Sequence, residues 1–170
     1  MNPAGWLARR LSRRPGMDRW IGPEDDVVVV QALALAALAW PGRGRWRLPP
    51  PAAVVAVGAT ATGATLGLLA AVPHADRLTP RVDPPEDLGL VQDGVYALSR
   101  NPMYAGLLLA AAGWAVLRRR PEPVVAWAVL AAALQVKARR EEHRLQARFG
   151  ADYERYRART PRFVGRPRPV

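Results

Sequence analysis

Residues 48–73 read LPPPAAVVAVGATATGATLGLLAAVP, without one charged side chain. About 20 apolar residues rising 1.5 Å each cross the roughly 30 Å hydrocarbon layer of a bilayer as an α-helix, so this stretch is long enough to span it. Gly58, Gly63 and Gly67, interleaved with alanines, Thr60 and Thr62, are small residues of the kind that let helices approach closely in lipid.

Upstream, Val27–Trp40 (VVVVQALALAALAW) is apolar except for Gln31 and follows Glu24, Asp25 and Asp26, whose charges suit a helix N-terminus. It rises only about 21 Å, so it draws on flanking residues or is partly buried in protein. Downstream, Asn101–Leu117 is uncharged, Arg118-Arg119-Arg120-Pro121-Glu122 forms a polar turn, and Val124–Val136 is apolar again. That pattern predicts a helical hairpin. Its second arm continues as a charged helix over Lys137–Phe149, which Gly150 is placed to end. Residues 74–93 hold Pro80, Pro84 and Pro85 among Asp76, Asp83, Glu86, Asp87 and Asp93, and read as a water-exposed loop. The expected fold is an all-α integral membrane protein with about four transmembrane helices, the last two a hairpin. It divides into a basic segment at 1–26, two spans at 27–73, the acidic loop at 74–93, a functional core at 94–163 and an Arg/Pro tail at 164–170.

Composition agrees. Half of the 170 residues are hydrophobic, yet the net charge is +11. Basic chains bind nucleic acid or anionic headgroups by the same attraction, but here uncharged apolar runs separate the basic clusters, which favours membrane lipids and argues against nucleic acid. The absence of cysteine excludes disulfides, thiolate metal sites and a cysteine nucleophile. His74 and His143 are the only histidines, and no metal is expected. No apolar signal core directly follows the Arg-rich N-terminus, so a cleaved signal peptide is not expected. Residues 3–14 set Trp6, Leu7 and Leu11 among four arginines, which reads equally as an amphipathic surface helix or a frayed tail. With four spans the N-terminus, middle loop and tail carry 5, 3 and 11 Lys plus Arg, against 3 in each outer turn. The positive-inside rule then puts both termini and the loop before the hairpin in the cytoplasm, the membrane being the cell's inner one.

Two stretches carry chemistry. Gly94-Val-Tyr96-Ala-Leu-Ser99-Arg100-Asn101-Pro102-Met103-Tyr104-Ala-Gly106 sits at the mouth of the hairpin. Arg100 beside an apolar helix is costly to bury unless it meets an anion, and the helix N-terminus at Pro102 favours an anion too. The competing reading is anchoring, with Arg100 snorkelling to headgroups and Tyr96 and Tyr104 in an aromatic belt. In the second stretch, Arg139-Arg140-Glu141-Glu142-His143-Arg144-Leu145, the two carboxylates lie beside an apolar stripe of Leu145, Phe149, Tyr153 and Tyr156. They could accept bonds from a ribose or amine, or belong to a solvated helix with ordinary ion pairs.

In order and spacing these pieces resemble the isoprenylcysteine carboxyl methyltransferase and phospholipid methyltransferase families of membrane proteins. The resemblance rests on Gly-x-Tyr-x-x-Ser-Arg-Asn-Pro-x-Tyr-x-Gly at 94–106, Arg-x-Glu-Glu at 139–145 and Phe-Gly-x-x-Tyr-x-x-Tyr at 149–156, and covers residues 88–163. Asn101 stands where these families often place histidine, which excludes a histidine base there. The resemblance implies an S-adenosylmethionine pocket between the hairpin and a C-terminal amphipathic helix that closes it on the cytosolic side. Tyr96, Arg100, Asn101, Pro102, Tyr104 and Gly106 would line it, with Glu141 and Glu142 facing them, and Arg100 and Glu142 would carry the catalytic work. The implied reaction is methyl transfer to a lipidic or prenylated carboxylate or amine. The alternatives are an NADPH-dependent membrane reductase of the sterol-reductase type and a non-enzymatic membrane scaffold.

Overall fold

The computed structural model describes residues 25–71 and 89–165, and among these there is no strand. The helices are α1 (Asp25–Ala39), α2 (Pro50–Ala71), α3 (Val95–Leu98), α4 (Pro102–Leu117), α5 (Pro121–Phe149) and α6 (Ala151–Arg159). The amphipathic segment expected at 3–14, nearly all of the acidic loop and the last residues of the tail lie outside the described residues.

Proline sets three of the starts. Pro50, Pro102 and Pro121 each open a helix, where the missing N–H costs nothing and the fixed φ already suits the first turn. The hairpin predicted from the uncharged runs is α4 and α5, joined at Arg118–Arg120. Gly150, with φ of 50°, ends α5 in the left-handed region that a side chain disfavours, and α6 leaves at an angle.

The helices pack mainly in two pairs, α2 on α4 and α1 on α5. Small residues make the first pairing. A Cβ on Gly106 would lie 2.6 Å from the Gly63 carbonyl oxygen and the Gly67 nitrogen, and one on Gly113 would lie 2.4 Å from the Ala56 carbonyl oxygen. Gly63 is thus used as its sequence context predicts, whereas Gly58 has open space around it. Gly106 departs from expectation. It lies against the backbone of α2 at Gly63 and Gly67. The pairs meet in a core of Ala34, Leu38, Ala111, Ala115, Ala126, Leu130 and Leu134. The indole nitrogens bond helix carbonyls, Trp114 donating to Leu38 and Trp127 to Leu108, both at 3.0 Å.

The outer faces of the bundle are apolar: Val29, Leu33, Val54, Val55, Leu68 and Val125 are all exposed. Among the described helices α2 is the one long and apolar enough to cross a membrane by length and composition, and α1 and α4 are apolar but shorter. The polar ends are sorted. Arg140 pairs with Asp26 at 3.4 Å, and the Tyr96 hydroxyl donates to the Ala70 carbonyl. The start of α1, the end of α2, the start of α4 and the charged half of α5 therefore share one end of the bundle.

Replacing Gly113 by Val should lower stability by about 1–3 kcal/mol, the usual range for overpacking. Gly58→Ala, with open space at its Cβ, should not lower stability and should raise it by up to about 1 kcal/mol. Thermal unfolding in detergent micelles checks both, and equal midpoints for the two variants would contradict this packing.

Candidate active site

At that shared end the chain from Tyr96 to Tyr104 meets the second half of α5. Residues 99–101 are extended between α3 and α4, and the segment after α6 runs beside them. The Arg100 N–H donates to the Pro161 carbonyl at 2.9 Å, the Asn101 N–H to the Arg162 carbonyl at 3.1 Å, and the Ser99 hydroxyl to the same Arg162 carbonyl at 3.1 Å. Below this strap the Tyr156 hydroxyl donates to the Tyr96 carbonyl at 2.7 Å, and the rings of Tyr153 and Tyr156 meet edge to face at 6.1 Å. The apolar stripe through Tyr153 and Tyr156 is thus the buried face of a bent helix pair.

Glu142 sits at the centre, 8% exposed. Arg162 grips it as a fork, Nε to Oε1 at 2.8 Å and Nη2 to Oε2 at 2.7 Å, a bond that raises the Arg162 pKa above its ordinary value. Asn101 Nδ2 donates to Oε1 at 3.3 Å, and Arg100 Nη2 lies 3.5 Å from it. A carboxylate this buried needs such donors, since leaving it unpaired would cost several kcal/mol. Sequence reasoning did not find the role of Arg162. A single arginine 20 residues beyond its partner carries no periodic signal.

Glu141, one residue earlier, points elsewhere. It accepts a 2.6 Å bond from the Tyr104 hydroxyl and lines a cleft of about 270 Å³ with Tyr96, Arg100, Asn101, Pro102, Met103 and Leu145. That volume is at the lower edge of the roughly 300–1,000 Å³ typical of small-molecule sites. The Lys137 ammonium stands 5.5 Å over the Tyr104 ring. Of the residues expected in the pocket, Tyr96, Arg100, Asn101, Pro102, Tyr104 and Glu141 come together here, and Glu142 and Gly106 do not line the cleft. Glu142 is withdrawn because its oxygens are held by Arg162, Asn101 and Arg100, and Gly106 because it is spent on the α2 crossing. His143 is exposed, and no metal-binding cluster exists among the described residues.

Arg100 bears most directly on ligand chemistry. Its side chain is 9% exposed, and its Nε and Nη1 are buried without hydrogen-bond partners. The Tyr153 hydroxyl is buried beside Arg100, and burial, helped by the nearby Glu142 charge, pushes its pKa up to about 12 against the lowering pull of Arg100, so it stays neutral. Arg100 lines the cleft as its positive charge, so an anionic group bound there would be drawn to it.

Residues 54–152 match the phospholipid methyltransferase family, more than half of the chain. The chain belongs to that family. Protein-S-isoprenylcysteine O-methyltransferase B of Arabidopsis thaliana is 37% identical over 75 residues, which are 42% of this chain and 37% of the plant protein. This phospholipid methyltransferase family chain therefore spans little more than a third of that relative's length. No solved structure matches.

Glu142→Ala should free the strap at residues 160–163, since three residues, Arg162, Asn101 and Arg100, lose a shared acceptor, at a cost of about 3–5 kcal/mol. Limited proteolysis should then cut near Arg162 while α2 and α4 stay protected. A cleavage pattern identical to the parent's would show that Glu142 does not hold the strap.

Proposed function

We propose that this chain is an integral membrane methyltransferase that uses S-adenosylmethionine and acts on a lipidic or prenylated acceptor, with its functional core at 94–163. The carrying observation is Arg100, whose nearly buried guanidinium belongs to a residue lining a cleft that one carboxylate, Glu141, lines as well. An amino-acid-bearing cofactor has the matching charges: its carboxylate would take the Arg100 donors, and its cationic part would lie toward Glu141. The methyl on its sulfonium is an electrophile that an acceptor attacks in line.

The protein residues then position and exclude water, which dominates a displacement of this kind. Arg100 and Asn101 fix one end of the ligand at the start of α4. Tyr104 orients the Glu141 carboxylate by its 2.6 Å bond. A carboxylate acceptor needs no base; an amine acceptor must first lose a proton, and Glu141 is the group placed to take it. Glu142 is a positioning residue here: already neutralised by Arg162, it keeps Arg100 and Asn101 in place. Helix α6 and the strap close the cleft on its aqueous side. Four helices, α1, α2, α4 and the apolar half of α5, would cross the bilayer of the inner membrane, with the cleft and both termini cytoplasmic. The acceptor reaches the cleft from the lipid.

Purified protein should gain thermal stability with S-adenosylmethionine and S-adenosylhomocysteine but not with NADPH. Arg100→Ala and Glu141→Ala should each weaken that binding at least about tenfold, the weight of one charge-assisted hydrogen bond. Arg100→Lys, which keeps the charge but not the fork, should fall between. Stabilisation by NADPH alone would overturn the proposal. Transfer of labelled methyl to a prenylcysteine or to an aminophospholipid distinguishes the two acceptor classes.

A further inference from the structure

At the end of the bundle away from the cleft, two arginine-rich turns meet. The α1–α2 connection carries Arg43, Arg45 and Arg47, and the α4–α5 turn carries Arg118, Arg119 and Arg120. They are locked together: the Arg45 N–H donates to the Arg119 carbonyl at 2.7 Å, and the Arg120 and Arg119 guanidiniums lie against Gly42 and Gly44, where any Cβ would overlap them. Arg118 donates to the Trp40 carbonyl and lies over the Trp114 ring at 5.8 Å, and its Nε is buried without a partner. Among the described residues Glu122 is the single carboxylate paired with this group, at 2.7 Å from Arg45 and 3.2 Å from Arg120. Like charges so gathered repel one another, and one carboxylate leaves most of them uncompensated.

Directly beside the cluster, Pro121 and Glu122 form the end of a groove of about 500 Å³ between α1 and α5. Apart from Glu122 its walls are wholly apolar, with Val30, Leu33, Ala37, Val125 and Val129 among them. A ligand that fills the groove and satisfies the arginines must have a hydrocarbon chain with a negative charge at one end.

We propose that the groove and the arginine cluster together form a binding site for an anionic phospholipid, with an acyl chain between α1 and α5 and the phosphate on the guanidiniums. Guanidinium forks match phosphate oxygens, and arginine is the cation best suited to such contacts. The site lies at the opposite end of the bundle from the cleft and is independent of methyl transfer. It rests only on the placement of α1 and α5 in the bilayer. It also explains why six arginines stand in the two turns where the charge asymmetry of the loops is weakest.

The full chain in detergent micelles, doped with phosphatidylglycerol or phosphatidylcholine, tests this by thermal unfolding and by the lipid retained in native mass spectrometry. Phosphatidylglycerol should raise the midpoint and be retained at least tenfold better than phosphatidylcholine. Arg43→Gln combined with Arg45→Gln should abolish the preference, both side chains being exposed and free of the bundle core. Val125→Trp, made at an exposed position, should fill the groove and lower retention of both lipids. Equal retention of the two lipids, or a midpoint shift reproduced by inorganic phosphate alone, would overturn the site. So would a dimer mass with no bound lipid, which would assign the groove to a second copy. A chain that needs no detergent would overturn the membrane reading as well, whereas one that needs it but shows no headgroup preference would overturn this site alone.

Discussion

The Glu142 carboxylate, buried midway along the charged half of α5, is the constraint on which the functional end depends. Taking a charge out of water is unfavourable by several kcal/mol, and it is tolerated here because Arg162, Asn101 and Arg100 converge on it. The return is specificity of arrangement. One carboxylate joins α5, the extended residues 99–101 and the strap after α6, three pieces far apart in sequence. Two backbone hydrogen bonds from residues 100 and 101 to 161 and 162 then follow. Arg100 reaches the cleft in a fixed orientation as a consequence.

Adjacent residues on a helix point about 100° apart, and the pair Glu141-Glu142 exploits that difference. Glu142 faces inward and organises the protein; Glu141 lines the cleft. The same separation of roles appears between the ends of the bundle. Small residues bring α2 and α4 into backbone contact, which leaves the polar termini free to gather. One end collects a carboxylate, an amide and a guanidinium around a cleft. The other collects arginines at the rim of an apolar groove.

The helices were legible because uncharged runs are bounded by proline, arginine or glycine, each with a local physical effect. Pro102, Pro121 and Gly150 mark boundaries within a residue or two of where the sequence places them. Much of the cleft was legible too, since Tyr96, Arg100, Asn101 and Tyr104 cluster within one short stretch. What could not be read was long-range. Gly106 lies in the same motif, and nothing local distinguishes a glycine that admits a ligand from one that admits a helix. Only the position of α2 decides it. Likewise no periodicity links Arg162 to Glu142, or Arg119 to Arg45, because those contacts arise from how the helices are brought together.

Amide hydrogen exchange of the detergent-solubilised protein with and without S-adenosylhomocysteine reads the cleft segment by segment. Exchange should slow in peptides covering residues 96–104, 139–146 and 160–163, with α1 and α2 unaffected. Slowing confined to other segments, or no change in these three, would contradict a cofactor cleft held in place by Glu142.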